Sequence, residues 1–180
     1  MIQPSPFQAH YRTPGGFDDL VLVSDGEAVT GIYFEGSNGA EQCAMRNAQC
    51  AMTTPRTPRT PREVFQPVSA WLDRYFSGRD PGPPPAWRTP GLTPFQLRVQ
   101  QAMLAIPRGE TRTYGDIAAE IARERGVPRV SAQAVGQAVG RNPLCILVPC
   151  HRVVGAGGRL VGYGGGLANK KALLELEQSR

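Results

Sequence analysis

The chain has 180 residues, 41% of them hydrophobic, and a formal net charge of +5. That length holds one ordinary domain or two small ones, and the composition excludes a disordered chain. No apolar run approaches the ~20 residues of a membrane-spanning helix, which excludes an integral helical membrane protein.

Met1–Arg12 contains Pro4 and Pro6 and no apolar core, so no secretory signal is expected. Asp19–Ser24 and Glu27–Phe34 read as two strands joined at the Asp25-Gly26 turn, a hairpin signal. Residues 36–61 read as a long loop, extended by a Thr-Pro-Arg near-repeat at Thr54, Thr57 and Thr60. Cys43 and Cys50 lie in it with six residues between them, a spacing that matches no common zinc pattern and has only His10 nearby. Val68, Trp71, Leu72 and Tyr75 predict a short amphipathic helix over Val68–Phe76. Arg79–Thr89, with Pro81, Gly82 and three consecutive prolines, reads as a linker.

Beyond it, Thr93, Pro94 and Gln96 combine a helix cap, proline at the first position and a capping-box partner. Phe95, Val99, Ala102, Met103 and Ile106 fall on one face of that helix, and Pro107 and Gly109 end it. A second helix starts at Thr113 with Asp116 as box partner and stops near Gly126; a third covers Ser131–Val139. Two short helices joined by a tight turn are either a helix-turn-helix or a hairpin packed on the core. Residues 155–166 hold seven glycines, a loop that either folds over a ligand or only connects; Leu167–Glu177 is the last helix.

Charge divides at the same linker. Residues 1–91 carry eight arginines against nine acids, whereas residues 92–180 carry ten arginines and two lysines against six acids. The basic half suits a polyanion, or is a solubilising surface. The expected architecture is an α/β N-terminal domain over 1–88, a small sheet with a helix, and a mainly α C-terminal domain over 92–180 with a helix-turn-helix.

The most chemical stretch is Leu144–Val148 followed by Pro149, Cys150, His151 and Arg152. An apolar run cut by proline ends at a surface or pocket, and cationic neighbours there lower a thiol pKa toward neutrality. The other reading is a buried, inert cysteine. No Cys-x-x-Cys pair is present, so a reducing, cytoplasmic setting is the simplest expectation.

Residues 93–177 resemble the O6-alkylguanine-DNA alkyltransferases (methylated-DNA–protein-cysteine methyltransferases). The resemblance is carried, in order and spacing, by Thr93–Gln96, Ile106–Glu110, Thr113–Gly115, Ala134–Ala138, Arg141–Pro143, Val148–Val153, Gly162-Tyr163 with Gly165–Leu167, and Lys170 with Leu173, Leu174 and Glu177. It implies a DNA repair protein that moves an alkyl group from O6 of guanine, with O4 of thymine as a second candidate, irreversibly onto Cys150. Binding through a minor-groove helix-turn-helix, with the damaged base flipped out, is part of the same implication.

By resemblance His151 takes the thiol proton through a water, Glu177 orients that imidazole, Asn142 buttresses the cysteine turn, and Tyr114 donates to the departing guanine. Gln133, Ala134, Gly136, Arg141, Val153, Tyr163 and Gly164 are the expected DNA and base contacts. A thiolate attacking saturated carbon needs no metal or organic cofactor. The expected partner is double-stranded DNA containing alkylated guanine, bound by a monomer, with cooperative binding left open and no membrane. Two residues depart from the family pattern: Gln133 replaces an intercalating arginine, and Gln100 stands where many members carry Trp. A non-catalytic lesion-flagging relative would lack the cysteine. A helix-turn-helix regulator would not need Pro-Cys-His-Arg, and a cysteine hydrolase would need an oxyanion hole and a catalytic Cys-His pair from separated segments, of which only the nucleophile is present.

Overall fold

Three strands form one antiparallel sheet in the computed structural model, which describes residues 7–37 and 60–179. They are β1 (Phe7–Tyr11), β2 (Leu20–Ser24) and β3 (Val29–Phe34), with β2 in the centre. The predicted Asp-Gly turn joins β2 to β3. Asp25 Oδ1 accepts from the amides of Glu27 and Ala28, each at 3.1 Å, and Gly26 takes a φ of 96°, open to a residue without Cβ. The register sets Leu20 opposite Phe34, with a bulge at Val23 and Ser24. β1 lies in a stretch with no clear strand pattern and is a strand because Tyr11 pairs with Leu20 and Phe7 with Ser24.

The chain divides into Met1–Gly91 and Leu92–Arg180, and this sheet belongs to the first unit. There the predicted helix is longer than expected: α1 runs Pro61–Phe76. Its start corrects the loop reading. Thr60 Oγ1 accepts from the Glu63 amide, the Glu63 carboxylate accepts from the Thr60 amide, and Pro61 occupies the first turn. Of the three Thr-Pro-Arg triplets only the third is followed by glutamate, and that residue completes the capping box. The first two triplets, and Cys43 and Cys50 with the zinc alternative, lie outside the described residues. α1 buries Val64, Val68, Leu72 and Tyr75. It is tied to the sheet where the Tyr11 hydroxyl donates to Asp73 at 2.8 Å.

Arg79–Thr89 is not a free linker. Val29 N donates to Ala86 O at 3.1 Å and Arg88 N to Val29 O at 3.0 Å, a parallel bridge on the edge strand β3. Arg88 then pairs with Asp25, and with Glu27 at 2.9 Å. Prolines hold a chain extended, and an extended chain is what an unpaired strand edge accepts.

The second unit carries α2 (Pro94–Leu104), α3 (Tyr114–Glu124), α4 (Ala132–Val139) and α5 (Leu167–Gln178). Thr93 with Gln96 and Thr113 with Asp116 form the predicted capping boxes of α2 and α3. Of the face read from the sequence on α2, Val99, Ala102 and Met103 are buried and Phe95 is half-buried; α3 buries Ile117, Ala118, Ile121 and Ala122, and α4 buries Val135, Ala138 and Val139. Arg98 and Arg112 both reach Glu120, at 2.5 and 2.6 Å, bracing α2 and the start of α3. A two-residue parallel pair, β4 (Arg112–Thr113) with β5 (Val153–Val154), fixes the segment after Cys150 beside the N-terminus of α3. Among the described residues no helix is long and apolar enough to cross a membrane.

Candidate active site

The segment before the cysteine is a buried turn. Asn142 closes it on both sides: its Nδ2 donates to Leu144 O at 3.2 Å and Val148 O at 3.1 Å, and its Oδ1 accepts from Leu144 N at 3.1 Å. Ile146, at φ 71°, is a β-branched residue in the left-handed region, a conformation costing about 1–3 kcal/mol. The turn folds Cys145 back toward Cys150.

Cys150, His151 and Arg152 follow Pro149 as one 3-10 turn. With three residues per turn, successive side chains leave the backbone about 120° apart, and Cys150 does not share the partner of the two residues that follow it. His151 and Arg152 both turn to Glu177. His151 Nε2 lies 2.9 Å from Glu177 Oε1, and both side chains are fully buried. Arg152 grips the same carboxylate with two hydrogen bonds of 2.8 Å and donates to Ile106 O at 2.7 Å. The Gly109 amide adds a bond of 3.2 Å to Glu177 Oε2. At φ 80°, and with a Cβ due to fall 3.2 Å from Glu177 O, position 109 suits glycine. A carboxylate only accepts, so Nε2 carries the imidazole proton and Nδ1 is the basic nitrogen. Burial holds the His151 pKa below its ordinary value and so favours the neutral ring, against the opposing pull of Glu177.

Cys150 itself is 4% exposed, so, of the expected surface or pocket, the apolar run does not end at the surface. Its thiol pKa is held below the ordinary value. The hydrogen bond from Cys145 is the largest cause; Asn142, Lys170 and Tyr163 act in the same direction, and burial opposes them. This corrects the source of the expected electrostatics. The cation acting on the sulfur is Lys170 of α5, whereas Arg152 is spent on Glu177.

Lys170 is fully buried, and its Nζ donates to Val153 O at 2.7 Å and Val161 O at 3.0 Å. The same ammonium lies 5.9 Å from the ring centres of both Tyr114 and Tyr163. The Tyr114 hydroxyl donates to Val161 O and Gly162 O, each at 3.3 Å. Burial and the neighbouring Cys150 raise its pKa, so it keeps its proton. The glycine-rich loop is thus pinned near the cysteine by Lys170 and Tyr114, not left as a slack connection. Tyr163 is half-buried against Cys150 and Gly164 is exposed; Val153 is fully buried in β5 and presents its carbonyl to Lys170.

The remaining expected contacts gather elsewhere. Gln133 and Arg141 are exposed, Ala134 and Gly136 half-exposed, on α4 and just after it. A Cβ at Gly136 would stand 3.8 Å from the Tyr114 ring, so this small residue lets α4 lie close to a site side chain. Sequence reasoning missed the roles of Cys145, Lys170 and Gly109. For Lys170 a signal existed: Lys170, Leu173, Leu174 and Glu177 fall at i, i+3, i+4 and i+7, which puts two charged residues on the buried stripe of α5.

Residues 94–179 match the family model described as "6-O-methylguanine DNA methyltransferase, DNA binding domain". A Mycobacterium tuberculosis protein named methylated-DNA–protein-cysteine methyltransferase is 60% identical over 88 residues, 49% of this chain; the match spans only about half, 50%, of that relative's length. A Haemophilus influenzae protein of the same name is 36% identical over 172 residues, covering 96% of this chain and 86% of its own length. The crystal structure of Mycobacterium tuberculosis OGT in complex with DNA resembles this fold with a TM-score of 0.70 at 36% identity, covering 94% of this chain and 92% of that one. Similarity carried across nearly the whole length, with cysteine, histidine and glutamate in one buried arrangement, places this chain in the methylated-DNA–protein-cysteine methyltransferase family.

Proposed function

We propose that this chain is a DNA repair protein that accepts an alkyl group from O6 of guanine in duplex DNA onto Sγ of Cys150. The observation that carries the reading is a thiol held toward its anionic form beside a neutral, carboxylate-bound imidazole. Nδ1 of His151 takes the thiol proton through a water. The thiolate attacks the alkyl carbon in line, an S–C bond forms, and the C–O6 bond breaks with its electron pair passing to the purine. Tyr114, protonated and beside Cys150, donates to the guanine as that charge develops. The sum is thiol plus alkylguanine giving thioether plus guanine. A thioether has no ready leaving group, so each molecule reacts once.

An atom inside a stacked duplex is closed to in-line attack, so the damaged nucleotide must leave the stack. α3 and α4 serve as the helix-turn-helix in the minor groove. Gln133 fills the vacated stack, Ala134 and Gly136 allow close approach, and Arg141 meets the phosphates. Tyr163, Gly164 and Val153 frame the everted base, and O4 of alkylated thymine is a second substrate. The excess of basic residues in 92–180 suits this partner. The protein works as a monomer in the cytoplasm.

The test is an intact-mass measurement after incubation with a duplex oligonucleotide containing O6-methylguanine. One methylene is gained by the wild type and none by Cys150→Ser. His151→Ala slows single-turnover transfer while DNA binding persists. A folded, reduced wild type that gains no mass overturns the proposal.

A further inference from the structure

Four hydrogen bonds converge on the carboxylate that meets the imidazole. Oε1 of Glu177 accepts from His151 Nε2 at 2.9 Å and from Arg152 Nη2 at 2.8 Å. Oε2 accepts from Arg152 Nε at 2.8 Å and from the Gly109 amide at 3.2 Å. An ionised carboxylate offers about four lone-pair sites, and each of these bonds takes one. The guanidinium is itself fixed by its third nitrogen, Nη1, which donates to Ile106 O at 2.7 Å. The Glu177 side chain is fully buried and that of Arg152 is 13% exposed, so the fork is held largely out of solvent.

We propose that Arg152 is a positioning residue for alkyl transfer: it locks Glu177 against His151 and balances the carboxylate charge, so that the imidazole rests neutral and can take the proton of Cys150. This rests on the proton-acceptor role given to His151 above.

Charge decides the resting state of the ring. A buried carboxylate paired only with an imidazole is an uncompensated anion, and the ring relieves it by binding a second proton. An imidazolium has no site left for the thiol proton. Arg152 supplies the compensating cation, so carboxylate and guanidinium form a neutral pair beside an uncharged ring. When the thiol proton reaches Nδ1, the new positive charge is matched by the thiolate left on Cys150. The charged groups acting on the ring are Glu177 and Lys170 from α5 and Arg152 from its own turn. Burial is the largest cause keeping the ring pKa low; Glu177 pulls it up, and Arg152 and Lys170 push it down. Lys170 bonds the carbonyls of Val153 and Val161, whereas Arg152 bonds the carboxylate. Ile106 and Gly109, just after α2, add a backbone carbonyl and a backbone amide, which do not titrate. Lysine at position 152 would keep the charge and lose the two parallel donors.

The experiment is a pH titration of histidine side chains labelled with 15N, with His151 told from His10, the other histidine of the chain, by His10→Gln. In the wild type the His151 ring is neutral at neutral pH, with its proton on Nε2. A doubly protonated ring, or a proton on Nδ1, overturns the proposal without any variant at position 152 having to fold. Arg152→Gln keeps a polar side chain beside Glu177 and removes the cation. The His151 midpoint then rises by about one to two units. The acid limb of single-turnover methyl transfer moves up with it, so the rate at acid pH falls up to about tenfold for each unit of that rise. Above the new midpoint the rate returns, a recovery that a packing defect would not give. Arg152→Lys restores the cation and brings the midpoint back toward that of the wild type. An Arg152→Gln protein with the wild-type midpoint overturns the proposal, and so does one whose midpoint rises with no change in the transfer profile. A wild type that titrates as expected yet takes no methyl from O6-methylguanine in DNA overturns the repair function and leaves the charge pairing standing.

Discussion

His151 and Glu177 meet at 2.9 Å with neither side chain exposed to solvent, and Arg152 closes on the same carboxylate from the other side. One acid thus serves two bases that are adjacent in sequence. A buried carboxylate between a guanidinium and an imidazole is stable only while its hydrogen bonds are complete.

Glu177→Ala leaves Arg152 and His151 without their acceptor in a dry site. The expected loss is about 3–5 kcal/mol of unfolding free energy, read from urea denaturation. Glu177→Gln keeps the shape and one acceptor oxygen and loses less. An Ala variant as stable as the wild type would show that the cluster contributes nothing to folding.

Stability depends on pH through His151. Its folded pKa lies below the ordinary value of 6.5 because the ring is buried. The unfolded chain therefore binds the proton more readily, so stability is full above about 6.5 and is lost as pH falls toward the folded pKa. Denaturation midpoints at pH 7.5 and 5.5 should differ in the wild type, and the difference should shrink in His151→Gln.

Lys170→Met keeps the stem of the side chain and removes the two bonds that tie Val161 to Val153. Amides of the glycine-rich loop should then exchange with deuterium faster, the Gly155 amide bonded to Arg159 O at 2.8 Å among them. Exchange in α3 should stay as it was. Equal protection of the loop in both proteins would mean that Tyr114 alone holds it.

Gln133→Arg places a cation at an exposed position near the start of α4. Duplex affinity should rise and fall more steeply with salt, the slope of log K against log salt growing by up to about 0.9 for one added phosphate contact. Fluorescence anisotropy at several salt concentrations reads it. An unchanged slope would put residue 133 away from the phosphates.

Much of the second unit was legible because its signals are local. Thr93 with Gln96 and Thr113 with Asp116 satisfy amides only three residues away, so a short window contains the whole interaction. The first unit was harder to read. β1 exists only through its pairing with β2, and the proline segment is part of the fold only because β3 offers an open edge. The start of α1 was readable in principle, in the Glu63 that follows the third triplet, but the repeat drew the same reading for all three.

By itself the sequence determined which atoms are available: a cysteine after proline, a histidine next to it, and a helix carrying a lysine and a glutamate on its apolar stripe. Periodicity and caps are properties of neighbours along the chain, and they can be read there. Which groups act on the sulfur was decided only in three dimensions. A 3-10 turn sends His151 and Arg152 away to Glu177, while a strained bend and α5 bring Cys145 and Lys170 to Cys150. Electrostatic influence follows distance through the folded interior, not position along the chain.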